Sequence, residues 1–103
     1  MRRFFMIISV LVICLSGFSC DKIKTSWMGV EADTAYNQGN IKKAVELYEK
    51  LVQSDPDSVP FNRNLGFAYF SNGEKLKASR QVVKLRKLGK NDLADDLQRL
   101  IER

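Results

Sequence analysis

Apolar residues recur at helical spacing along the chain. The segment IKKAVELYEKLVQ has apolar residues at i, i+3, i+4, i+7, i+10 and i+11, which is one face of a helix. These residues are Ile41, Ala44, Val45, Tyr48, Leu51 and Val52. The final segment, NDLADDLQRLIER, has a similar stripe of Leu93, Leu97, Leu100 and Ile101. Because no segment has the alternating pattern of a strand, the sequence predicts an all-α fold.

Glycine and proline residues mark the boundaries of the predicted helices. Gly39, Gly73 and Gly89 follow apolar-periodic segments and predict turns. Pro56 disfavours the α conformation at Asp55 and so ends the helix before it. The predicted helices are 41–53, about Val59 to Ser71 with Pro60 in its first turn, about Glu74 to Leu88, and 91–103. The predicted helix N-caps include Asn40 and Asn91.

The chain contains an internal repeat. YNQGNIKKA, 36–44, aligns residue for residue with FSNGEKLKA, 70–78. The offset of 34 residues also relates Ala32 to Gly66 and Leu51 to Leu85. A fixed period of this length is typical of stacked helix–turn–helix units.

The repeat resembles the tetratricopeptide repeat, whose Leu-Gly-x-x-Tyr motif matches Leu65, Gly66 and Tyr69. The first copy contributes Ala44, Tyr48 and Pro56 to the closing part of the motif, whereas the second copy has Val82 and Lys90 at the places of the late aromatic and the proline. The early tryptophan place of the motif holds Met28 in the first copy and Asn62 in the second. The resemblance implies two repeats, about 25–58 and 59–90, followed by a capping helix at 91–103.

The N-terminus has the features of an export signal. Arg2 and Arg3 precede a twelve-residue segment, FFMIISVLVICL, in which Ser9 is the one polar residue. Gly17 and Ser19 then give the small-x-small pattern of a cleavage site. We therefore expect residues 1–19 to be a cleaved signal peptide, with 20–25 as a linker. An uncleaved membrane anchor is second best, because a span usually needs about 20 apolar residues.

Cleavage at that point leaves Cys20 as the N-terminal residue and as the one remaining cysteine, since Cys14 lies in the signal. The segment resembles a bacterial lipoprotein signal, which implies covalent lipid, such as palmitate, on Cys20. Ser19 fits that motif, whereas Gly17 and Phe18 depart from it. The alternative is an ordinary secreted protein cut at the same bond.

Composition argues against catalysis and nucleic-acid binding. Of 103 residues, 84 follow the predicted cleavage, with 15 basic and 12 acidic side chains, so the net charge is mild for a nucleic-acid protein. The chain has no histidine, no paired-cysteine zinc pattern and no glycine-rich phosphate loop. We expect no enzyme activity, no metal and no cofactor other than the lipid.

Two surfaces are candidates for binding. The register of the repeat family implies a concave groove lined by the first helix of each pair, with the residues Asp33, Tyr36, Asn37, Arg63, Phe67, Phe70 and Ser71. Phe67 and Phe70 have two interpretations: an exposed binding patch, or packing within a small domain. The second surface is basic, because seven cations and no acid lie between Lys75 and Lys90. Its candidate membrane-facing residues are Lys77, Arg80, Lys84 and Lys87, and the alternative is a solvated helix face.

Together these features predict a lipid-anchored adaptor of the bacterial cell envelope that faces the periplasm or the exterior. Its groove would bind a peptide or helix of another envelope protein. The alternative is a structural module that stacks repeats into a homo-oligomer, since stable arrays usually need about three repeats.

Overall fold

A computed structural model describes residues 26–103 as five helices without a strand among them. The helices are α1 at 26–37, α2 at Ile41–Ser54, α3 at Val59–Ser71, α4 at Lys75–Lys87 and α5 at Asn91–Glu102. The predicted all-α fold is therefore confirmed. The predictions about the signal peptide, Cys20 and the linker to residue 25 concern residues outside this described part.

The helices α2 to α5 pack in chain order, and α5 also contacts α3. Each helix therefore lies against its neighbour in sequence, as expected of helix–turn–helix units that are stacked side by side. Within residues 26–103, no helix combines the length and the hydropathy that a membrane crossing requires.

Three turns of the same kind connect α1 to α2, α3 to α4 and α4 to α5. Gly39, Gly73 and Gly89 have φ values of 83°, 80° and 79°, the left-handed region that glycine adopts without strain. In the first turn, the N–H of Asn40 donates to the Ala35 carbonyl at 2.8 Å, while the N–H of Gly39 donates to Tyr36 at 3.1 Å. This pair of bonds is the Schellman motif, which satisfies the last carbonyls of a helix.

The same geometry corrects two predicted caps. Asn40 does occupy the N-cap position of α2, but its side chain makes no capping hydrogen bond. The N-cap of α5 is Lys90, and Asn91 is the first residue of that helix. The reason is the backbone conformation after the glycine. The Schellman turn gives the next residue a ψ near 65°. A capping side chain reaches the helix amides from an extended conformation, which this residue does not have.

The connection between α2 and α3 is built differently. Asp55, before proline, has φ −142° and ψ 82°, so the helix ends as predicted. Ser58 is the N-cap of α3 and accepts a hydrogen bond from the Phe61 N–H. Asn62 is fully buried, and its Nδ2 donates to the carbonyls of Pro56 at 2.8 Å and Ser58 at 2.7 Å. One amide side chain therefore fastens the loop to the helix.

The core consists of two adjoining clusters. The larger joins α1, α2 and α3 with Ala78 of α4, and the smaller joins α4 and α5 through Val82, Leu85, Ala94 and Leu97. Phe70 and Ile101 pack against both clusters and connect them. The helix α5 thus covers the C-terminal end of the repeats, as the sequence predicted for a capping helix.

Small residues lie where the helices approach closely. Ala32, Ala44 and Ala78 are fully buried. At Gly66, an added Cβ would lie 2.5 Å from Leu97 Cδ2 and 3.1 Å from Gln81 Cβ. Glycine at this position lets α3 approach α4 and α5 simultaneously.

Candidate binding groove

A surface groove of about 380 Å³ lies between α1 and α3, with one residue of α2 in its wall. We call it the α1–α3 groove. Its lining residues are Asp33, Tyr36, Asn37, Tyr48, Arg63, Asn64 and Phe67. Helical spacing explains the arrangement, because residues three and four apart share one helix face. The groove is therefore the face that α1 and α3 present beside each other.

The structure brings five of the predicted groove residues together here: Asp33, Tyr36, Asn37, Arg63 and Phe67. All of them come from the first helix of a pair.

Phe70 departs from the predicted lining. It is half-buried and packs against both core clusters. The hydroxyls of Ser71 and Tyr36 form a hydrogen bond of 2.9 Å, which links α3 to α1. Phe67 therefore lines the groove and also packs against the smaller core cluster, whereas Phe70 packs against both clusters and does not line the groove.

Two lining residues, Tyr48 and Asn64, were absent from the predicted set. The sequence places Tyr48 on the apolar stripe of α2, and its ring is indeed buried. However, its hydroxyl donates a short hydrogen bond to Asp33 Oδ1 at the groove. The repeat spacing correctly assigned the Tyr48 ring to the core. A buried tyrosine hydroxyl usually needs a polar partner, and this was the signal in the sequence that the end of the side chain lies near a polar group.

Tyr48 and Asp33 form a hydrogen-bonded pair in one wall of the groove. Burial, the hydrogen bond to Asp33 and the negative charge of that carboxylate all raise the pKa of the Tyr48 hydroxyl above its ordinary value. The phenol therefore stays protonated and continues to donate to Asp33 at neutral pH. This hydrogen bond connects α2 to α1 and orients the Asp33 carboxylate in the groove.

The opposite wall is cationic and aromatic. The Arg63 guanidinium lies over the Phe67 ring, 5.3 Å from its centroid, and its Nη1 donates to Asn64 Oδ1 at 3.3 Å. Stacking on an aromatic ring orients a guanidinium while leaving most of its N–H groups available. The groove thus offers a fixed acceptor on one side and a positioned donor with an aromatic surface on the other.

Phe67 also faces a second depression, lined by Asp96, Arg99, Leu100 and Arg103. The ring packs against the smaller core cluster as well. Phe67 therefore joins the α1–α3 groove to the end of α5.

Two of the four residues of the predicted basic face, Lys77 and Lys84, form ion pairs with acidic side chains. Lys77 pairs with Glu74 at 3.1 Å and lies 5.6 Å from the centroid of the Tyr69 ring, while Lys84 pairs with Asp57 at 3.6 Å. A hydrogen bond from Asn72 and the pairing with Lys77 lower the pKa of the Glu74 carboxyl. These exposed pairs contribute little to stability.

Residues 26–103 contain no group of three or more side chains able to hold a metal ion. The groove is suited to binding through hydrogen bonds, charge and aromatic contact.

Residues 32–73 match the family model described as TPR repeat. The matched stretch contains every lining residue of the α1–α3 groove. No curated protein matches the chain.

Proposed function

We propose that this tetratricopeptide-repeat protein is a membrane-anchored adaptor. It binds a peptide or helix of another cell-envelope protein in the α1–α3 groove. Repeats of this kind form interaction modules whose concave faces bind other proteins. The observation that carries the proposal is the groove itself. It has an oriented carboxylate, an oriented guanidinium and a half-exposed aromatic ring within one depression.

The chemistry of the groove favours a peptide as the occupant. Asp33 can accept hydrogen bonds from backbone or side-chain donors, and Arg63 can donate to carboxylate or carbonyl oxygens. Phe67 provides a surface for an apolar side chain, and aromatic and arginine residues dominate binding energies at protein interfaces. A partner segment with an apolar residue between a donor and an acceptor would use all three groups.

The anchoring half of the proposal rests on the sequence of residues 1–20. The apolar segment, the small residue before the cleavage point and the solitary Cys20 favour lipid attachment and export. Two or more acyl chains would give stable anchoring.

Palmitate labelling of wild type against Cys20→Ala tests the anchoring: label should enter wild type and be absent from the variant. Failure to label wild type would contradict it.

Site-specific photocrosslinking tests the groove. A photoreactive residue in place of Asn37, which is exposed at the groove, should give a discrete adduct in native membranes. The same residue in place of Glu46, exposed on α2 outside the groove lining, is the control. Adducts of equal yield at both positions would contradict groove binding.

A charge reversal then tests the role of the guanidinium. Arg63→Glu should reduce binding of the crosslinked partner by about tenfold or more, because it replaces an oriented donor with an acceptor. Lys42→Glu makes the same charge change at an exposed residue that does not line the groove and should leave binding unchanged.

A second candidate function is self-assembly. Trp27 and Val30 lie three residues apart on α1 and are 73% and 60% exposed. An apolar edge at the first helix of a repeat stack is where another repeat would pack. Light scattering of the chain distinguishes the two functions, because a stable dimer that Trp27→Ser dissociates would favour self-assembly, whereas a monomer favours the adaptor.

A further inference from the structure

The outer side of α4 carries an exposed stripe of mixed character. Leu76, Arg80, Val83 and Lys87 stand at i, i+4, i+7 and i+11, so they share one face of the helix. We call this stripe the α4 ridge. Leu76 is 80% exposed and Val83 is 53% exposed, whereas the core-facing residues of α4 are buried. Two large aliphatic side chains are therefore presented to the surroundings between cations.

The ridge cations are available for an external partner. Within residues 26–103, neither Arg80 nor Lys87 has a carboxylate within the 4.0 Å of an ion pair. Lys84 lies beside the ridge, and its pair with Asp57 is long and exposed, so it can be exchanged for another anion at little cost. The basic character of the ridge is thus not neutralised by the domain.

A groove of about 440 Å³ runs along the ridge on the side of the α2–α3 loop. Arg80, Lys84 and Lys87 contribute three cations to its lining, and Val52, Pro56 and Val83 contribute apolar surface. The ridge and this groove together form an open surface in which aliphatic and cationic groups alternate.

We propose that the α4 ridge docks on an anionic membrane surface, with Leu76 and Val83 entering the interfacial layer and Arg80, Lys84 and Lys87 contacting lipid phosphates. Segments that lie on membranes combine exposed apolar side chains with lysine and arginine in this way. Anionic headgroups complement the unpaired charge of the ridge. A membrane is favoured over a folded acidic protein because Leu76 and Val83 are largely exposed, and the groove that Val83 lines is open and carries three cations.

This docking leaves the α1–α3 groove available. That groove is lined by residues of α1, α2 and α3, and the ridge belongs to α4. A domain held by the ridge would therefore bind the membrane and a protein partner through different helices.

A single-tryptophan reporter tests the proposal. The chain has one tryptophan, Trp27, which is largely exposed and can be changed to Phe. Val83→Trp then reports on the ridge, and Arg99→Trp in the same background reports on an exposed site of α5. The full chain is reconstituted in vesicles of phosphatidylcholine with and without phosphatidylglycerol, and in matched vesicles with brominated acyl chains.

The ridge reporter should shift its emission to shorter wavelength and be quenched by brominated lipid in the anionic vesicles, and high salt should reverse both effects. The reporter at position 99 should change little. Arg80→Gln with Lys87→Gln should lower the ratio of docked to undocked domain by about 25-fold, since each cation contributes about fivefold. Both positions are exposed, so circular dichroism should show an unchanged melting temperature.

Three results would overturn the proposal: no quenching at position 83, quenching in neutral vesicles that equals that in anionic ones, or equal quenching at positions 83 and 99. A ridge that instead docks on an acidic protein would give the first of these.

Discussion

Replacing Gly66 with alanine tests the close approach of three helices. The added Cβ would lie 2.5 Å from Leu97 Cδ2, whereas carbon atoms pack best at about 3.5–4.0 Å. Leu97 is fully buried, and Gln81 Cβ at 3.1 Å limits movement in the other direction. Overpacking of a core costs about 1–3 kcal/mol. Alanine regains about 1 kcal/mol of helix propensity, so we expect a net loss of up to about 2 kcal/mol in the free energy of unfolding.

Gly29 offers a matched control. It lies in α1, and a Cβ there would meet no atom within 4 Å. Gly29→Ala should therefore stabilise the domain by about 0.5–1 kcal/mol. Thermal and urea unfolding, followed by circular dichroism, measure both variants. For a domain of this size, 1 kcal/mol shifts the melting temperature by about 4–8 °C.

A double-mutant cycle identifies the cause. Leu97→Val lacks the terminal methyl group that the new Cβ would meet. In that background, Gly66→Ala should cost much less than in wild type, and it should become stabilising if the Leu97 contact is the whole cause. A Gly66→Ala protein at least as stable as wild type, or an equal cost in both backgrounds, would refute the reasoning.

Three further changes test separate features of the domain. Gly73→Ala should cost about 1 kcal/mol because its φ is 80°, and Gly73→Asn should cost less because asparagine tolerates this conformation; urea unfolding compares them. Asn62→Ala should lower the unfolding free energy by about 2 kcal/mol, because two loop carbonyls lose their buried donor. The pKa of Tyr48 is raised in the fold, so the resulting stability is complete below the unfolded pKa of about 10 and declines as pH rises above it. Tyr48→Phe should flatten this alkaline decline in a pH series of melting curves; an unchanged slope would contradict the assignment.

The fold was predictable because its determinants are local. Gly39 and Gly73 recur at the 34-residue period of the repeat, and both of them, like Gly89, have the left-handed conformation that a turn of this kind needs. Four residues of the predicted stripe of α2 are buried, and Ile41 and Val52 at its edges are partly buried. The caps were not predictable from residue type, because Asn40 and Asn91 are good capping residues whose use depends on the preceding turn. Once a Schellman turn determines the backbone, the side chain no longer points at the helix amides.

The groove was predictable only where helix register determines it. Asp33 and Arg63 were predicted from the register that the resemblance to the repeat family implies, and both line the groove. Tyr48 depends on the rotation of α2 against α1, which brings its hydroxyl to Asp33, and a one-dimensional pattern does not encode that rotation. The basic residues of the ridge were among the predicted membrane-facing residues, but the exposure of Leu76 and Val83 was not predicted, because apolar residues in a helix are normally assigned to the core.

The packing of α5 and the shape of the groove are coupled through Phe67. The ring packs against the cluster that contains Leu97 while it also lines the α1–α3 groove, and Arg63 stacks on it. Any change that displaces α5 therefore moves the surface on which the guanidinium is oriented. Gly66→Ala acts on Leu97 directly and should weaken partner binding even under conditions where the domain is fully folded. The capping helix thus contributes no residue to the lining of the groove, but its cluster packs against Phe67 and so supports one wall of the groove.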